Sequence, residues 1–375
     1  MKVGIPSETK ADEYRVSMTP AGVRELTERG HGVVIQEGAG VASGFSDPQY
    51  VAQGATVVPD ADGVFSTAEM IVKVKEPLDH EVARLRPGQI LFTYLHLAPA
   101  PALTRGLCDS GVTAIAYETV EDRHGRLPLL APMSEIAGRL ATQAGAYMLS
   151  KPLGGRGVLL GGVPGVAAAN VMIIGGGSVG LNAAGVAIGM GADVFIFDVS
   201  IDRLRELEAV FGGRCSTVHS STLAIEELLP RTDLVIGAVL VAGDRAPFVI
   251  RASQLGLMRP GTVMVDVAID QGGCFETSRP TTHHEPTFEV DGIIHYCVTN
   301  MPGAVPVTST NALANATLPY VLALADRGVV GAIHADPGLR LGVNVAAGVP
   351  THAAVARSIG EECADVEAAL AAAVN

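Results

Sequence analysis

The sequence predicts an α/β protein with two doubly wound domains, each built on a parallel sheet, with a cleft between them. Short apolar runs alternate with helical patterns along most of the chain, which is typical of βα repeats. The runs form two series, separated by a helical stretch at residues 134–149 and a glycine-rich segment at 154–165. A length of 375 residues is sufficient for two domains.

The first series of elements begins at the N-terminus. A helix is predicted at 20–28, because Thr19 can serve as its N-cap and Gly30 follows its end. Buried parallel strands are predicted at 2–5, 32–36, 70–74, 90–95 and 113–117.

The second series of elements follows the glycine-rich segment. After residue 300 the pattern becomes helical again, at 309–327 and near 366–373. Because the second sheet is complete by then, we expect these helices to return to the first domain, which makes that domain discontinuous. Strands of the second sheet are predicted at 171–174, 193–197, 234–236, 262–266 and 294–297.

The segment Gly175-Gly176-Gly177-Ser178-Val179-Gly180 lies between the strand at 171–174 and a helical pattern at 181–190. Glycines in this G-x-G-x-x-G arrangement allow a tight turn and let the backbone approach a pyrophosphate at the helix N-terminus. The motif therefore predicts a Rossmann-like, dinucleotide-binding domain. The alternative, a glycine-rich loop between core elements, leaves the position of the acid described next unexplained.

Asp198 closes the strand that follows this motif. An acid at that position can accept hydrogen bonds from the ribose hydroxyls and would repel a 2′-phosphate, so we expect NAD rather than NADP. Arg203 leaves an alternative open, since a nearby arginine can serve a 2′-phosphate or line the adenine pocket.

The composition excludes several classes of partner. A net charge of -13 argues against nucleic acid and anionic membranes. We find no signal segment and no apolar run of membrane-spanning length, and the five cysteines lack paired spacing, so we expect a cytoplasmic protein. No catalytic metal is expected either, because the adjacent residues His283, His284 and Glu285 fit a solvated loop better than one metal centre.

Four ionisable residues follow predicted strands, where open α/β sheets place their ligands. They are Arg15, Lys75, His96 and Asp270. Two cations can hold a carboxylate, a histidine can move a proton, and an acid can stabilise a developing cation. The set suits oxidation of a small amino or hydroxy acid.

Each of these four residues also has a simpler interpretation. Arg15 could be a surface charge, and Lys75 could pair with Glu76 or Asp79. His96 could cap a strand, and Asp270 could begin the turn that continues through Gln271 and two glycines.

Over nearly its whole length, the sequence resembles the bacterial L-alanine dehydrogenases. The resemblance rests on motifs spread along the chain. They are MKVGIPSETK at the start, KVKEP at 73–77, LFTYLHL at 91–97, AYETV at 116–120, LPLLAPMSE at 127–135, GGRGVLLGGVPGV at 154–166, DLVIGAVL at 233–240, DVAIDQGGCFE at 266–276 and NMP at 300–302.

This resemblance implies two domains, a homo-oligomer that is usually a hexamer, and NAD-dependent conversion of L-alanine to pyruvate and ammonium. We expect a substrate domain at 1–128 plus 306–375, and an NAD-binding domain with a linking helix at 129–305. The resemblance implies substrate contacts for Arg15, Lys75 and Asn300, and catalytic roles for His96 and Asp270. The implied cofactor-binding residues are Ser134, Gly175, Gly177, Ser178, Val179, Gly180, Asp198, Arg203, Ser220, Val239, Leu240, Val267, Ile269, Arg279, Val298 and Met301.

Three alternatives stay open. The chain could be an NAD(H)-binding subunit of a transhydrogenase-like complex, a dehydrogenase for another small amino acid, or a non-catalytic NAD sensor. The first and third have no use for the four ionisable residues together. The chain also departs from the family where Gly176 replaces a frequent alanine, and in its less typical sequence after Ala323.

Overall fold

The computed structural model describes residues 1–239 and 247–372. The chain divides into two compact units, Met1–Met133 with Gly303–Asn375, and Ser134–Pro302. Fifteen strands lie in the described part of the chain: β1 (Lys2–Ile5), β2 (Gly32–Gln36), β3 (Thr56–Val58), β4 (Met70–Val72), β5 (Ile90–Thr93), β6 (Thr113–Ala116), β7 (Asn170–Ile174), β8 (Asp193–Asp198), β9 (Ser216–His219), β10 (Leu234–Gly237), β11 (Val263–Asp266), β12 (Thr287–Val290), β13 (Ile293–Tyr296), β14 (Val343–Ala346) and β15 (Val349–Pro350).

The helices follow the expected βα alternation in both units. Within the same described ranges they are α1 (Pro20–Glu28), α2 (Asp47–Val51), α3 (Ala61–Thr67), α4 (Asp79–Val82), α5 (Pro101–Ser110), α6 (Ala131–Met148), α7 (Ser178–Gly189), α8 (Ile201–Phe211), α9 (Thr222–Leu228), α10 (Pro306–Ala335), α11 (Pro337–Gly342), α12 (Ala353–Ile359) and α13 (Val366–Ala372).

The first unit contains a sheet in the order β3-β2-β1-β4-β5-β6-β14-β15. Strands β1 to β6 are parallel, as expected. The prediction of a wholly parallel sheet is wrong at one edge, where β14 lies antiparallel to β6 and β15 antiparallel to β14. A tight turn through Ala347 and Gly348, both with positive φ, joins these two strands.

The second unit contains a sheet in the order β12-β13-β11-β10-β7-β8-β9. All neighbouring strands are parallel except the edge strand β12, which pairs antiparallel with β13. Both faces of the sheet are covered. In β7, Val171 and Ile173 belong to one core cluster while Met172 and Ile174 belong to another, which explains the continuous apolar run of this strand.

Helix α10 corrects one expectation from the sequence. It is long and apolar enough to cross a membrane by length and composition, although no such run was expected. Its backbone leaves the helical conformation at Gly328, where φ is 66°. The helix packs on α1, and its Thr310 Oγ1 accepts a hydrogen bond of 3.1 Å from the Val16 backbone N–H. These contacts are those of a helix packed within a folded unit.

Candidate active site

In the first unit, three of the predicted site residues follow neighbouring strands. The strand order reverses between β1 and β4, so that the chain leaves these two adjacent strands toward opposite sides of the sheet. Ligands bind at such a reversal point, beyond the carboxyl ends of the strands. Arg15 lies in the segment after β1, Lys75 follows β4, and His96 follows β5. Because these strands are parallel, all three residues lie at the carboxyl ends of the strands, at the same end of the sheet.

Arg15 is buried, with 3% of its surface exposed, which excludes its interpretation as a surface charge. Its Nε donates to Glu13 Oε1 at 2.6 Å, and its Nη2 donates to the other carboxylate oxygen. Its Nη1 contacts Met133 Sδ at 2.9 Å. Burial would lower the pKa of Arg15, but the hydrogen bonds and charge of Glu13 raise it. The guanidinium is therefore held as a cation in a fixed orientation.

Lys75 is partly exposed, and its backbone is tied to the neighbouring strand. Its carbonyl oxygen accepts a hydrogen bond of 2.9 Å from Thr93 Oγ1. Burial would raise the pKa of Glu76, but the charges of Lys75 and Lys10 lower it. The simpler interpretation of Lys75 as a partner of Glu76 thus has support. A charge interaction of this kind still allows the Lys75 ammonium group to bind a substrate beyond the carboxyl end of β4.

His96 has a left-handed backbone conformation, with φ of 48°. Its backbone N–H donates to Glu118 Oε1 at 2.6 Å, and its Nδ1 lies 3.8 Å from the same oxygen. The imidazole stacks on the Tyr94 ring, with 5.9 Å between the ring centroids. Because 42% of its side chain is exposed, His96 is accessible to a substrate.

Sequence reasoning missed a buried charge cluster beside these residues. Lys73 is 1% exposed, and its Nζ donates to Glu8 Oε2 at 3.1 Å and to Glu81 Oε1 at 2.8 Å. Glu8 Oε1 also accepts a hydrogen bond of 2.6 Å from the Val74 backbone N–H. Burial raises the pKa of Glu8. The signal in the sequence was Lys73 inside the otherwise apolar run that predicted a strand at 70–74, where a buried charge requires a partner.

In the second unit, the glycine turn joins β7 to α7 with the geometry that the motif predicts. Gly175 has φ of +105°, and a Cβ there would lie 2.4 Å from the Ala238 carbonyl oxygen. A Cβ on Gly180 would lie 1.8 Å from the Gly175 carbonyl oxygen. Gly177 and Ser178 are exposed at the start of α7. The turn therefore requires glycine at 175 and 180, and the exposed start of α7 is a helix N-terminus that fits a pyrophosphate.

Asp198 ends β8 beside the glycine turn. Its Oδ2 accepts a hydrogen bond of 2.8 Å from the Gly176 N–H, and its Oδ1 accepts one of 2.8 Å from the Ser200 N–H. Arg203 Nε donates to the Gly176 carbonyl oxygen at 2.6 Å. Ser220 joins the same group, because its N–H donates to the Asp198 carbonyl oxygen at 2.9 Å. Three of the expected cofactor residues, Asp198, Arg203 and Ser220, therefore meet beside the glycine turn.

Asp270 and Asn300 form a second group in this unit. Asp270 is exposed on a 3-10 turn that also contains Val267 and Ile269, and its Oδ1 accepts a hydrogen bond of 3.3 Å from the Asn300 N–H. Asn300 has a left-handed backbone, with φ of 54°. The simpler interpretation of Asp270 as a turn residue is compatible with this placement.

The remaining predicted cofactor residues are more scattered. Val298 and Met301 are buried in the core cluster, and the Arg279 guanidinium lies 4.3 Å from the centroid of the Phe288 ring. Val239 is partly buried, whereas Leu240 falls outside the described residues.

The predicted start of the linking helix at residue 134 is wrong, because α6 begins at Ala131. Pro132 fits the first turn of this helix, where no partner for a backbone N–H is needed. Ser134 is therefore a partly buried residue inside the helix, which begins three residues before the predicted stretch at 134–149. In the described part of the chain, no group of three or more histidine, cysteine or acidic residues is arranged to hold a metal ion.

Comparison with known proteins covers both units. Residues 4–137 match the family model of the alanine dehydrogenase/PNT N-terminal domain, and residues 141–353 match that of the C-terminal domain. Alanine dehydrogenase of Mycolicibacterium smegmatis is 57% identical, with 96% of this chain and 97% of the relative covered. Alanine dehydrogenase of Bacillus subtilis is 51% identical, with 99% and 98% covered.

Solved structures give the same result. A structure of L-alanine dehydrogenase matches with a TM-score of 0.93 and 52% identity, over 96% of this chain and 99% of that one. The transhydrogenase from Sinorhizobium meliloti matches with a TM-score of 0.80 and 24% identity over 94% and 99%, which shows a shared fold alone. The chain belongs to the alanine dehydrogenase/PNT family.

Proposed function

We propose that this protein is an alanine dehydrogenase, which converts L-alanine, NAD and water reversibly to pyruvate, ammonium and NADH. One observation carries the proposal. The similarity to alanine dehydrogenases extends over nearly the full length of the chain, and so includes both the ionisable residues of the first unit and the glycine turn of the second.

The second unit is proposed to bind NAD. The turn from Gly175 to Gly180 would receive the pyrophosphate, and Asp198 would accept hydrogen bonds from the ribose. Arg203 lies beside both and would border the adenosine half. When bound, NAD supplies the acceptor for the hydride that leaves the substrate Cα. The other assigned contacts are those of Ser134, Ser220, Val239, Leu240, Val267, Ile269, Arg279, Val298 and Met301.

The first unit is proposed to bind the substrate. Arg15, oriented by Glu13, and Lys75 hold the carboxylate, since a fixed guanidinium recognises that group well. The partly exposed His96 acts as general base when water adds to the iminium carbon, and as general acid when ammonia leaves. Asp270 stabilises the positive charge of the iminium, and Asn300 beside it contacts the substrate.

The remaining assignments follow from the family. We assign residues 1–128 plus 306–375 to the substrate domain and 129–305 to the NAD-binding domain. The protein is proposed to act as a cytoplasmic homo-oligomer, most simply a hexamer, without nucleic acid, membrane or metal partners. Its acidic net charge of -13 supports the absence of a nucleic-acid partner.

Two other functions remain as alternatives. An NAD(H)-binding subunit of a transhydrogenase-like complex has the same fold in its favour, but it would have no use for a buried, oriented Arg15 together with an accessible His96. A dehydrogenase for another small amino acid would use the same residues, because substrate preference depends on a few pocket side chains.

The first experiment follows NADH formation from NAD at alkaline pH with L-alanine, L-serine, L-2-aminobutyrate and L-valine, and repeats the series with NADP. We expect turnover with alanine and NAD well above every other pair. Faster turnover of another amino acid would move the assignment to that substrate. Binding of NADH without turnover of any amino acid would overturn the proposal.

The role of His96 has its own test. We expect His96→Ala to lower kcat by about a hundredfold or more, as is typical for removal of a general acid–base group. Its Kd for NADH should stay within about threefold of the wild-type value, because His96 lies in the first unit. Unchanged turnover would remove His96 from the mechanism.

A further inference from the structure

Glu118 is the only described carboxylate that hydrogen-bonds to the backbone of His96. Its Oε1 accepts a hydrogen bond of 2.6 Å from the His96 N–H, and both of its oxygens lie 3.2 Å from the Leu95 nitrogen. The glutamate side chain is 14% exposed. The carboxylate therefore binds the end of the segment that presents the imidazole.

The backbone of His96 needs such a partner. A φ of 48° places this residue in the left-handed region, which a non-glycine residue adopts only where the surroundings stabilise it. Hydrogen bonds from backbone N–H groups to a charged acceptor are stronger than neutral ones. Glu118 thus stabilises the left-handed backbone conformation of the residue that carries the imidazole.

Glu118 is itself firmly placed by its two neighbours in sequence. Tyr117 is fully buried, and its ring packs edge-on against Phe92 and Tyr94 with centroids 4.4 Å and 5.0 Å away. Thr119 Oγ1 accepts a hydrogen bond of 2.8 Å from Asn344 Nδ2. The turn that carries Glu118 is therefore anchored on both sides, from β5 and from β14.

The carboxylate also interacts electrostatically with two imidazoles. His96 Nδ1 lies 3.8 Å from Glu118 Oε1, which is longer than a hydrogen bond but within the range of an ion pair. Burial lowers the pKa of His352, at the start of α12, and the charge of Glu118 opposes that shift. The Tyr94 ring stacks nearly parallel to the His96 ring, which restricts its rotation.

We propose that Glu118 is the positioning residue for His96, holding its backbone and its imidazole in the orientation that proton transfer requires. The inference rests on the proposed function, because it gives His96 the role of general acid and base. It adds a residue outside the set that contacts the substrate or the cofactor. Glu118 acts through His96 and has no contact of its own with the reacting atoms.

The test compares Glu118→Gln with the matched variant Glu121→Gln, which removes a charge three residues further along without touching the His96 backbone. The glutamine keeps the size of the side chain and one acceptor oxygen. We expect E118Q to lower kcat for alanine oxidation by about tenfold or more, with KM for alanine and Kd for NADH within about threefold of wild type. E121Q should leave all three unchanged.

A double-mutant cycle separates positioning from a general structural effect. In the His96→Ala background, E118Q should change the residual kcat by less than about twofold, since Glu118 has no route to the reaction except His96. In the His352→Gln background, E118Q should still lower kcat by the same factor as in the otherwise wild-type protein. An equal loss in the presence and absence of His96, or coupling to His352 alone, would overturn the proposal.

Amide hydrogen exchange tests the anchoring without any turnover. Peptides that contain Leu95 and His96 should exchange faster in E118Q than in wild type, and not in E121Q. Unchanged exchange would overturn the anchoring even in an active enzyme. Failure of the wild type to oxidise any amino acid would instead refute the proposed function, while the exchange result would still decide whether Glu118 holds His96.

Discussion

Arg15 and Lys73 are both buried with carboxylates, and the energetics of such pairs favour a role in orientation. Desolvation of two buried charges consumes most of their attraction, so a buried pair adds little to stability. Removal of one partner alone costs about 3–5 kcal/mol, because the other charge stays buried. Glu13 therefore fixes the direction of the Arg15 guanidinium, and Glu8 fixes the strand end before Lys75 through its bond to the Val74 N–H.

Asp198 is the residue at which cofactor preference is tested. We expect Asp198→Asn to shift the ratio of kcat/KM for NAD over NADP toward NADP by about tenfold, which corresponds to ~1.4 kcal/mol. The substitution removes the charge that repels a 2′-phosphate, while Arg203, which bonds to Gly176 in the same turn, keeps a positive charge that can attract one. The amide oxygen can still accept the hydrogen bond from Gly176.

The control for this substitution is Asp202→Asn. Asp202 is four residues further along, its side chain is 86% exposed, and it pairs with Arg205 on the surface of α8. Steady-state rates with both cofactors measure the ratio in each variant. An unchanged ratio in Asp198→Asn, or an equal shift in Asp202→Asn, would show that the carboxylate at the end of β8 does not select the cofactor.

The junction of β7 and α7 depends on a close approach between two parts of one turn. A Cβ on Gly180 would lie 1.8 Å from the Gly175 carbonyl oxygen, so Gly180→Ala must displace the start of α7 from the strand. We expect a loss of about 1–3 kcal/mol of unfolding free energy, as for an overpacked core site, and at least about tenfold weaker NADH binding.

Gly185 on the same helix provides a matched comparison. A Cβ there meets no atom within 4 Å, so Gly185→Ala should raise helix stability by about 0.5–1 kcal/mol and leave NADH binding unchanged. Urea denaturation and fluorescence titration with NADH measure both quantities. If Gly180→Ala were as stable as Gly185→Ala and bound NADH as tightly, the glycine turn would tolerate a side chain. Its shape would then not determine cofactor binding.

The strands that the sequence predicts are those with apolar runs, and the strands it misses lie at a sheet edge or next to one. Strand β7 is buried on both faces and carries an unbroken apolar run. Strands β3 and β9 are short and partly exposed, with sequences TVV and STVH, so their pattern does not differ from that of a loop. The β14–β15 hairpin was missed in a region whose helical patterns dominate the sequence.

The candidate site was predictable where a residue follows a strand directly, and not where it depends on distant pairing. Lys75, His96 and Asp270 each follow an apolar run within four residues, so their place at a sheet edge is readable from the sequence. Glu118 reaches His96 across 22 positions through the pairing of β5 with β6. Sequence spacing alone carries no information about that contact.

The chain uses one strand order twice. Counted in order along each unit, the six parallel strands lie as third, second, first, fourth, fifth and sixth in both sheets. Each sheet therefore has one reversal point, between β1 and β4 in the first unit and between β7 and β10 in the second. Arg15 and Lys75 follow the strands at the first point, and the glycine turn and Val239 follow those at the second. The arrangement gives each unit its own ligand-binding edge.

Because each unit has its own ligand-binding site, we expect each ligand to stabilise mainly the unit that binds it. NADH alone, at about a hundred times its Kd, should stabilise the unit that binds it by ~2.7 kcal/mol and slow amide exchange there. We expect the largest protection in peptides from 171–182 and 196–205, which contain the glycine turn and Asp198. Hydrogen-exchange mass spectrometry measures this response, and NADPH at equal concentration is the control, because Asp198 should reject it. Protection confined to peptides of the first unit would mean that the cofactor binds there. That result would refute the proposed division of roles between the units.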